Sequence, residues 1–478
     1  MKNSRWISLT VLCAGFLLIV VDMTIVNVAL PSIQRDLGFT QSGLAWVMNA
    51  YLIAFAGLLL LAGRMGDLLG RKRVFIAGLV IFTAASVLCG LSFTQGMLIA
   101  ARFVQGVGGA VSSAVILAMI VGLFPRADEQ ARAFGVFSVI ASAGAAVGLL
   151  AGGLITQAVS WHWIFFVNLP IGAATIAVAA RVLESDRGLG LGDGADVLGA
   201  ILVTGALMVG VYAIVESSDY GLASVHTAAF GAIAVAMLAG FVLRQATARN
   251  PILPLRMFVS RKLSAANAVQ GLMSAGFLGF FFMGSLDLER VMGYGPLSIG
   301  LAFLPVAVVM GAFSVRFSSL LITRFGPLAM LVAGQALVAA ALLWLAMGPE
   351  FSVYPVHMMV PLALLGLGGG LAFPAVTMIA MAGVRPEDAG VGSGLLNTAG
   401  QVGGALGLAV LATLAAGRTV ALAQGGSNIV AALSGGFHLA WFVSAALVAI
   451  TVGMTVALLR DRYQPQLAVQ LAESEQVA

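Results

Sequence analysis

Residues 43–91 have the sequence GLAWVMNAYLIAFAGLLLLAGRMGDLLGRKRVFIAGLVIFTAASVLCGL, in which two apolar runs flank a short polar segment. Each run is close to the roughly 20 residues that a helix needs to cross a bilayer. The segment Gly63–Arg73 between them carries one acid, four basic residues and three glycines, a composition too costly for the hydrocarbon. The stretch therefore predicts two transmembrane helices joined by a tight turn at the membrane surface.

The whole chain has the composition of a membrane protein. Of its 478 residues, 60% are hydrophobic and only 9% are charged, and the mean hydropathy is +1.05. A soluble domain would carry roughly a quarter charged residues. The 59 glycines suit helices that pack closely in lipid. The net charge of +5 is expected from basic cytoplasmic loops, so no nucleic-acid partner is predicted.

A span-length template fits the chain fourteen times, in groups of six, two and six. We predict an N-terminal six-helix bundle (1–184), two inserted helices with their linkers (185–254), a second six-helix bundle (255–460) and a cytoplasmic tail (461–478). The predicted spans are Ile7–Leu30, Gly43–Ala62, Val74–Leu91, Met97–Phe124, Phe134–Ala158, Trp163–Val182, Val197–Val215, Val225–Leu243, Ala265–Leu286, Ile299–Ile322, Leu328–Met347, Val356–Met381, Val391–Ala416 and Phe437–Leu459.

The distribution of basic residues predicts the orientation. Of the 24 lysines and arginines, twenty fall on the side of the N-terminus, three on the opposite side and one inside a span. The three are Arg35, Arg290 and Arg418. Because basic residues accumulate on cytoplasmic loops, both termini are predicted to be cytoplasmic.

Two charged residues are predicted to lie deep within spans. Asp22 lies eight residues before Leu30, about 12 Å below the outer end of helix one, and Arg102 lies five residues into helix four, at about 8 Å. At matching depths the two can pair, which makes the proton affinity of the carboxylate depend on helix separation. Gln105, one turn after Arg102, can hold the guanidinium. The alternative is a static pair that only fixes packing.

The polar segment between helices two and three is the first of several motifs. Gly63, Asp67, Gly70 and Arg71 form a Gly-x-x-x-Asp-x-x-Gly-Arg pattern, in which Asp67 can cap a helix or pair with a cation. The alternative is a basic loop that serves topology alone.

This segment resembles the loop motif of the major facilitator superfamily, and other motifs extend the resemblance over nearly the whole chain. They are similar to motifs of the fourteen-span drug:proton antiporter family. They are VDMTIVNVALP (21–31), RFVQGVGG (102–109), WHWIFFVNLP (161–170) and PEDAGVGSGLLN (386–397).

The resemblance implies an all-α polytopic fold with two six-helix bundles, two extra central helices and a substrate cavity between the bundles. It implies alternating access driven by inward proton flow, with Asp22 and Arg102 in proton coupling and Asn27 and Gln105 on the substrate pathway. The loop from Gly63 to Arg71 would gate the cytoplasmic side. The partners implied are a small-molecule substrate, protons and membrane lipid, without a cofactor, for a monomer in a bacterial cytoplasmic membrane.

Helix five carries a stripe of small residues. Gly144, Gly148 and Gly152 are spaced by four, so they share one face and permit close helix contact, and Gly153 follows them. The stripe resembles the antiporter motif of exporters, in which a proline follows the second glycine, but Leu149 stands at that position. The alternative is an ordinary packing stripe.

Two more acids, Asp287 and Glu289, fall at the outer end of helix nine beside Arg290. We place Asp287 and Glu289 on the substrate pathway. They could form a cation-attracting mouth or a second proton site, whereas the simpler interpretation is a solvated helix end.

No spaced set of His, Cys, Asp or Glu predicts a metal site, and no nucleophile-base-acid arrangement or phosphate-binding loop is present in the sequence. We therefore expect no enzyme, no cofactor and no ATP-driven pump. The sequence favours proton-coupled efflux of amphiphilic or cationic drugs. One rival is a facilitator-fold transporter of a lipid, siderophore or metabolite without proton coupling, and another is a membrane-embedded enzyme or receptor.

Overall fold

The computed structural model describes residues 2–124, 127–184, 186, 188, 196–221, 223–349, 354–382, 384 and 389–459. Within these ranges the regular structure is helical and no strand is present. The first bundle contains α1 (Lys2–Leu37), α2 (Ala45–Leu69), α3 (Arg71–Gly90), α4 (Gln95–Leu123), α5 (Ala127–Ala158) and α6 (Trp163–Val182).

A helical hairpin and a second bundle follow. The hairpin is α7 (Val197–Tyr220) and α8 (Val225–Thr247), and a 3-10 turn (Leu255–Val259) precedes the second bundle. That bundle contains α9 (Arg261–Arg290), α10 (Pro296–Ala312, a π-helical turn Phe313–Phe317 and Ser318–Phe325), α11 (Pro327–Ala346), α12 (a π-helical turn Pro355–Met359 and Val360–Met381), α13 (Ala389–Gln424) and α14 (Ile429–Leu459).

Every predicted span coincides with one of these helices, so the all-α polytopic fold is confirmed. Twelve described helices are long and apolar enough to cross a membrane. Two shorter apolar helices, Ala143–Ala158 and Pro296–Ala312, belong to α5 and α10. The match holds because bilayer thickness fixes the length of the apolar run.

The predicted turn between helices two and three is wrong in its extent. The prediction ended helix two at Ala62, but α2 continues to Leu69 and α3 begins at Arg71. Only Gly70 lies between them, with a φ of +94° that suits glycine. Gly63 lies inside α2, and a Cβ there would meet no atom within 4 Å. A helix can outlast its apolar run because its polar last turns lie in the interface.

Among the described residues, the contacts between the two bundles are made chiefly by α5 with α10, by α2 with α13, and by α1 with both α9 and α10. At the ends predicted to be external, a Cβ on Gly153 would lie 2.6 Å from the carbonyl oxygen of Pro296. An ion pair of 2.9 Å joins Arg35 in α1 to Glu289 in α9. The bundles are therefore in direct contact at these ends in this structure.

The α7–α8 hairpin lies beside the α2–α13 pair, because α7 packs on both of those helices. Asp196 caps α7 by accepting a 3.0 Å hydrogen bond from the N–H of Gly199. Its carboxylate also binds Arg244 and Gln245 of α8, at 2.9 and 2.8 Å. The hairpin is thus closed at its inner end by one buried carboxylate.

The orientation gives a testable prediction about topology. A reporter domain fused after Gln464 should be cytoplasmic, as should one inserted at the α4–α5 connection, whereas one inserted at Gly221 should be external. The reason is the uneven distribution of basic residues. Protease accessibility in intact and everted vesicles would measure it, and an external signal from the fusion after Gln464 would contradict an even number of spans.

Candidate functional site

A buried carboxylate network lies in the first bundle around Asp22. Its carboxylate oxygens accept hydrogen bonds from Arg102 Nη1 at 2.6 Å, Gln105 Nε2 at 2.7 Å and Asn168 Nδ2 at 2.9 Å. The side chains of Asp22 and Arg102 are both 0% exposed. The structure therefore brings together the two charged residues that the sequence analysis placed at matching depths within their spans.

α1 continues past the predicted end at Leu30, through Pro31 to Leu37. Fifteen residues separate Asp22 from that end, which is about 22 Å of helix. The carboxylate consequently lies near the middle of α1. A charge at that depth is costly in a bilayer and persists only where it is paired.

Arg102 is fixed by contacts to three further groups. Its Nε donates to the carbonyl oxygen of Val47 in α2 at 3.0 Å, and its Nη1 donates to Gln105 Oε1 at 2.7 Å. The guanidinium carbon lies 4.5 Å from the ring centre of Tyr51, a cation–π contact. Arg102 thereby links α1, where its carboxylate partner lies, to α2.

Ser86 and Asn168 complete the network, and sequence reasoning did not assign them a role. Ser86 Oγ accepts from Gln105 Nε2 at 2.8 Å and from Asn168 Nδ2 at 3.3 Å. Both side chains are buried. Asn168 stood within the motif WHWIFFVNLP, so its motif membership was a usable signal. Ser86 carried none, since a serine in an apolar helix is common.

The network is a cluster of charge-assisted hydrogen bonds. One carboxylate of α1 binds an arginine and two amide donors, and these bonds link α1 to α4 and α6. Within the described part of the chain, no group of three or more His, Cys, Asp or Glu could hold a metal ion. Cys13 and Cys89 are buried and unbridged.

Asn27 lies at the contact between the bundles. Its backbone carbonyl accepts a 2.7 Å hydrogen bond from Ser285 Oγ in α9, and its Nδ2 donates to the carbonyl oxygen of Met23. Its Oδ1 is buried without a hydrogen-bond partner among the described residues. The structure thus separates Asn27 from the Asp22 network and places it beside α9.

The two acids of α9 are not a solvated helix end, so that interpretation is wrong. Asp287 is 4% exposed, and Glu289 pairs with Arg35 of α1. Two residues along a helix correspond to about 200° of rotation. Asp287 therefore points away from the face that carries Ser285 and Glu289. Asp287 is therefore buried, whereas Glu289 and Arg290 at the same helix end are partly exposed.

The residues of the predicted gate loop make their contacts mainly within the first bundle. Asp67 pairs with Arg71 at 3.2 Å and does not cap α3. Arg71 Nη1 also donates to the carbonyl oxygen of Ala118 in α4. A Cβ on Gly70 would lie 2.8 Å from the carbonyl oxygen of Asp186. The role of these residues as a gate stays a prediction.

Asp186, after the end of α6, is the residue that caps α3. Its carboxylate accepts from the backbone N–H groups of Arg71 at 2.7 Å and Lys72 at 3.3 Å. In return, Lys72 Nζ donates to the carbonyl oxygens of Ala180 and Leu183 at the end of α6. The ends of α3 and α6 therefore cap each other. A lone acid in a linker gave no sequence signal for this.

The Asp186 cap predicts a pH-dependent stability. Partial burial opposes ionisation, but the N–H donors of Arg71 and Lys72 and the charge of Arg71 hold the pKa of Asp186 below its usual range. A depressed native pKa contributes stability above the unfolded pKa of about 3.9 and loses it as pH falls through the native value. We expect Asp186→Ala to cost about 1 kcal/mol at pH 7 and nothing below the native pKa.

Thermal unfolding of the purified protein at pH 7 and at acidic pH would measure this effect. The matched control is Glu184→Ala, because Glu184 is exposed in the same linker and makes no hydrogen bond or ion pair with a described residue. An equal loss from both variants, or a loss from Asp186→Ala that persists in acid, would contradict the cap.

The glycine stripe of α5 faces α1. A Cβ on Gly144 would lie 2.7 Å from Leu17, and one on Gly152 would lie 2.7 Å from the carbonyl oxygen of Ile25. A Cβ on Gly148 would collide with Thr24 Oγ1. Gly153 instead faces α10. The stripe is a close helix contact inside the first bundle, and its last glycine belongs to the contact between the bundles.

Of the last quoted motif, PEDAGVGSGLLN, residues 386–388 lie outside the described residues, as does Arg385 before them. Gly394 is described, and a Cβ there would lie 2.9 Å from Leu60 of α2. This part of α13 therefore contributes to the contact between the bundles.

Comparison with known proteins identifies relatives along most of the chain. The profile of the Major Facilitator Superfamily matches residues 12–408. The chain is 36% identical over 439 residues to a puromycin resistance protein of Streptomyces alboniger, covering 91% of this chain and 86% of that protein. It is 35% identical over 410 residues to a cephamycin export protein of Amycolatopsis lactamdurans, covering 85% and 84%.

Solved structures share the fold at low identity. A bacterial homologue of the human lysosomal transporter Spinster, crystallised in an inward-facing and unoccupied conformation, superposes with a TM-score of 0.68 and 16% identity. The superposition covers 97% of this chain and 100% of that one. At this identity the likeness concerns the fold alone.

Proposed function

The chain belongs to the major facilitator superfamily, and we propose that it is a proton-coupled exporter of amphiphilic or cationic drugs. Its relatives include a resistance protein and an export protein for antibiotics, which supports efflux of a small molecule. The proposed location is a bacterial cytoplasmic membrane, with both termini inside and a monomeric chain.

The proposal of proton coupling rests mainly on the enclosure of Asp22 by hydrogen-bond donors. It is the only Asp or Glu between Trp6 and Gln34 of α1, and its three side-chain donors come from α4 and α6. When Asp22 takes up a proton, the attraction to Arg102 is lost and one carboxyl oxygen becomes a donor. The contact between α1 and α4 weakens as a result.

Movement of α1 would directly change the contact between the bundles, because α1 takes part in it. Asn27, five residues after Asp22, carries the carbonyl that binds Ser285 of α9, and Arg35 of the same helix pairs with Glu289. Protonation of Asp22 in the outward-open state loosens α1 and favours closure of these outer contacts, and release of the proton to the inside favours their reopening with substrate bound. The proton therefore moves inward while substrate moves outward by alternating access.

A second function is favoured by one residue. Leu149 stands where the exporter motif has proline, and α5 is one continuous helix from Ala127 to Ala158. Without a kink at that point, α5 resembles an ordinary packed helix. A facilitator-fold carrier of a lipid, siderophore or metabolite that needs no proton gradient would have this property.

Transport by everted membrane vesicles would distinguish the two functions. The probes are ethidium, tetraphenylphosphonium, puromycin and chloramphenicol, with lumenal pH recorded by a fluorescent amine during uptake. The proposal expects uptake of at least one probe that collapses with the pH gradient and is accompanied by proton loss from the lumen. Uptake that persists after the gradient is dissipated would overturn proton coupling and favour the second function.

A further inference from the structure

We propose that the path between the bundles selects uncharged, hydrogen-bonding amphiphiles over permanent cations, and that the carboxamides of Asn27 and Asn49 contact the substrate. This inference rests on the proposed export function and narrows its substrate class. It follows from where the charges of the chain lie, from the orientation of the buried acids and from the unpartnered amide atoms of Asn27 and Asn49.

The helices that form the contact between the bundles carry almost no charge along their central turns. The sequence has no Asp, Glu, Lys or Arg within 45–63 of α2, 133–158 of α5, 263–286 of α9, 296–315 of α10 or 389–417 of α13. In α1 only Asp22 is charged between Trp6 and Gln34. A cation on this path would meet no fixed counter-charge except the buried acids.

Neither buried acid faces the path. Asp22 is 0% exposed, and its donors lie on α4 and α6 within the first bundle. Asn27, which lies beside α9, is about 140° around α1 from Asp22. Asp287 is turned about 200° from Ser285, the residue of α9 that contacts α1. The Arg35–Glu289 pair is at the outer ends and is already neutralised.

Asn49 of α2 is a buried amide at the contact with α13. It is 0% exposed, and neither its oxygen nor its nitrogen has a hydrogen-bond partner among the described residues. Leu60 lies eleven residues later, which is about 20° from Asn49 around the helix. Because Leu60 packs against Gly394 of α13, the same face of α2 presents Asn49 toward the second bundle.

Asn27 offers a second free acceptor on the α1–α9 contact. Its Oδ1 is buried and unpartnered among the described residues, and the side chain as a whole is 5% exposed. Buried amide atoms without partners are unfavourable, because they lose the hydrogen bonds that water would give them. A bound molecule with hydroxyl, carbonyl or amide groups would recover that cost, because it supplies both donors and acceptors.

A permanent cation would gain nothing comparable. Burying a charge without a counter-charge is strongly unfavourable even after relaxation, and an amide oxygen replaces only part of its hydration. The path therefore favours a neutral ligand with polar substituents. A carboxylate in place of the Asn49 amide would reverse this preference for neutral ligands over cations, because it supplies the missing counter-charge.

The test uses two probes of similar amphiphilic character in everted vesicles that hold equal amounts of folded protein. Chloramphenicol is neutral and hydrogen-bonding, and tetraphenylphosphonium is a permanent cation without donors. The wild type should take up chloramphenicol in preference to tetraphenylphosphonium. Asn49→Leu should lower chloramphenicol uptake about tenfold, the effect of losing roughly 1.4 kcal/mol. Asn49→Asp should gain tetraphenylphosphonium uptake and lose chloramphenicol uptake.

Asn428→Asp is the matched control, because Asn428 is exposed at the start of α14 and accepts from the N–H of Ala431, as aspartate also would. It should leave both uptakes unchanged. Preference of the wild type for tetraphenylphosphonium, or full chloramphenicol uptake by Asn49→Leu, would overturn this inference while leaving proton-coupled export standing. Failure to move either probe under a pH gradient would overturn the export function and this inference with it.

Discussion

Asp22→Asn is expected to reduce proton-driven export to background. Asparagine keeps the size of the side chain and one acceptor for Gln105 or Asn168, but it cannot take up and release a proton. Asp22 is the residue on which the whole network of Arg102, Gln105 and Asn168 converges. The measurement is pH-gradient-dependent uptake by everted vesicles, normalised to the folded protein in each preparation.

Loss of folding must be separated from loss of coupling in this variant. Asp22→Asn leaves Arg102 buried without its partner, which costs about 3–5 kcal/mol. The double variant Asp22→Asn with Arg102→Met removes the stranded charge, so it should recover folded protein but not coupled export. Asp22→Glu keeps a titratable group and should retain part of the activity. Coupled export by the double variant at the wild-type rate would show that the pair only fixes packing.

Gly148→Leu is expected to abolish transport, because it disrupts the contact between α5 and α1. This is the second largest effect that we predict. Even a Cβ at this position would collide with Thr24 Oγ1 and would lie 2.9 Å from the carbonyl oxygen of Val21 in α1. Overpacking of this kind typically costs about 1–3 kcal/mol. We expect the protein to insert and fold, because α5 keeps its length and hydropathy, but α1 to be displaced together with Asp22.

Gly231→Leu provides the matched control, since a Cβ at Gly231 in α8 would meet no atom within 4 Å. That variant should transport normally. Uptake rates and size-exclusion profiles of the two variants would be compared at equal expression. Normal transport by Gly148→Leu would mean that α1 and α5 separate at this point during the cycle, contrary to the packing described above.

The membrane architecture could be predicted from the sequence because the bilayer imposes it. Apolar runs such as Val225–Leu243 need no tertiary information to be recognised as spans. The ends of helices are less predictable. Gly63 marked the end of an apolar run and suggested a loop, but α2 continues to Leu69. Hydropathy reports where hydrocarbon ends, whereas hydrogen bonding decides where the helix ends.

The candidate site was predictable only in its charged residues. The cost of a charge in a span drew attention to Asp22 and Arg102. The neutral members Ser86 and Asn168 depend on how α3 and α6 pack beside α4, and no local pattern encodes that packing. Helical periodicity could have predicted that Asp287 points away from its two neighbours, because residues 285 and 289 share a face that residue 287 does not.

Substrate-induced proton movement through Asp22 is the central claim, and one measurement addresses it most directly. Everted vesicles with equal amounts of folded wild type or Asp22→Asn are acidified inside, and chloramphenicol or puromycin is then added while lumenal pH is recorded. The account predicts that the lumen of wild-type vesicles becomes more alkaline on addition of a transported probe and that the lumen of Asp22→Asn vesicles does not. An equal pH change from both proteins, with equal uptake, would contradict the account and remove Asp22 from the mechanism.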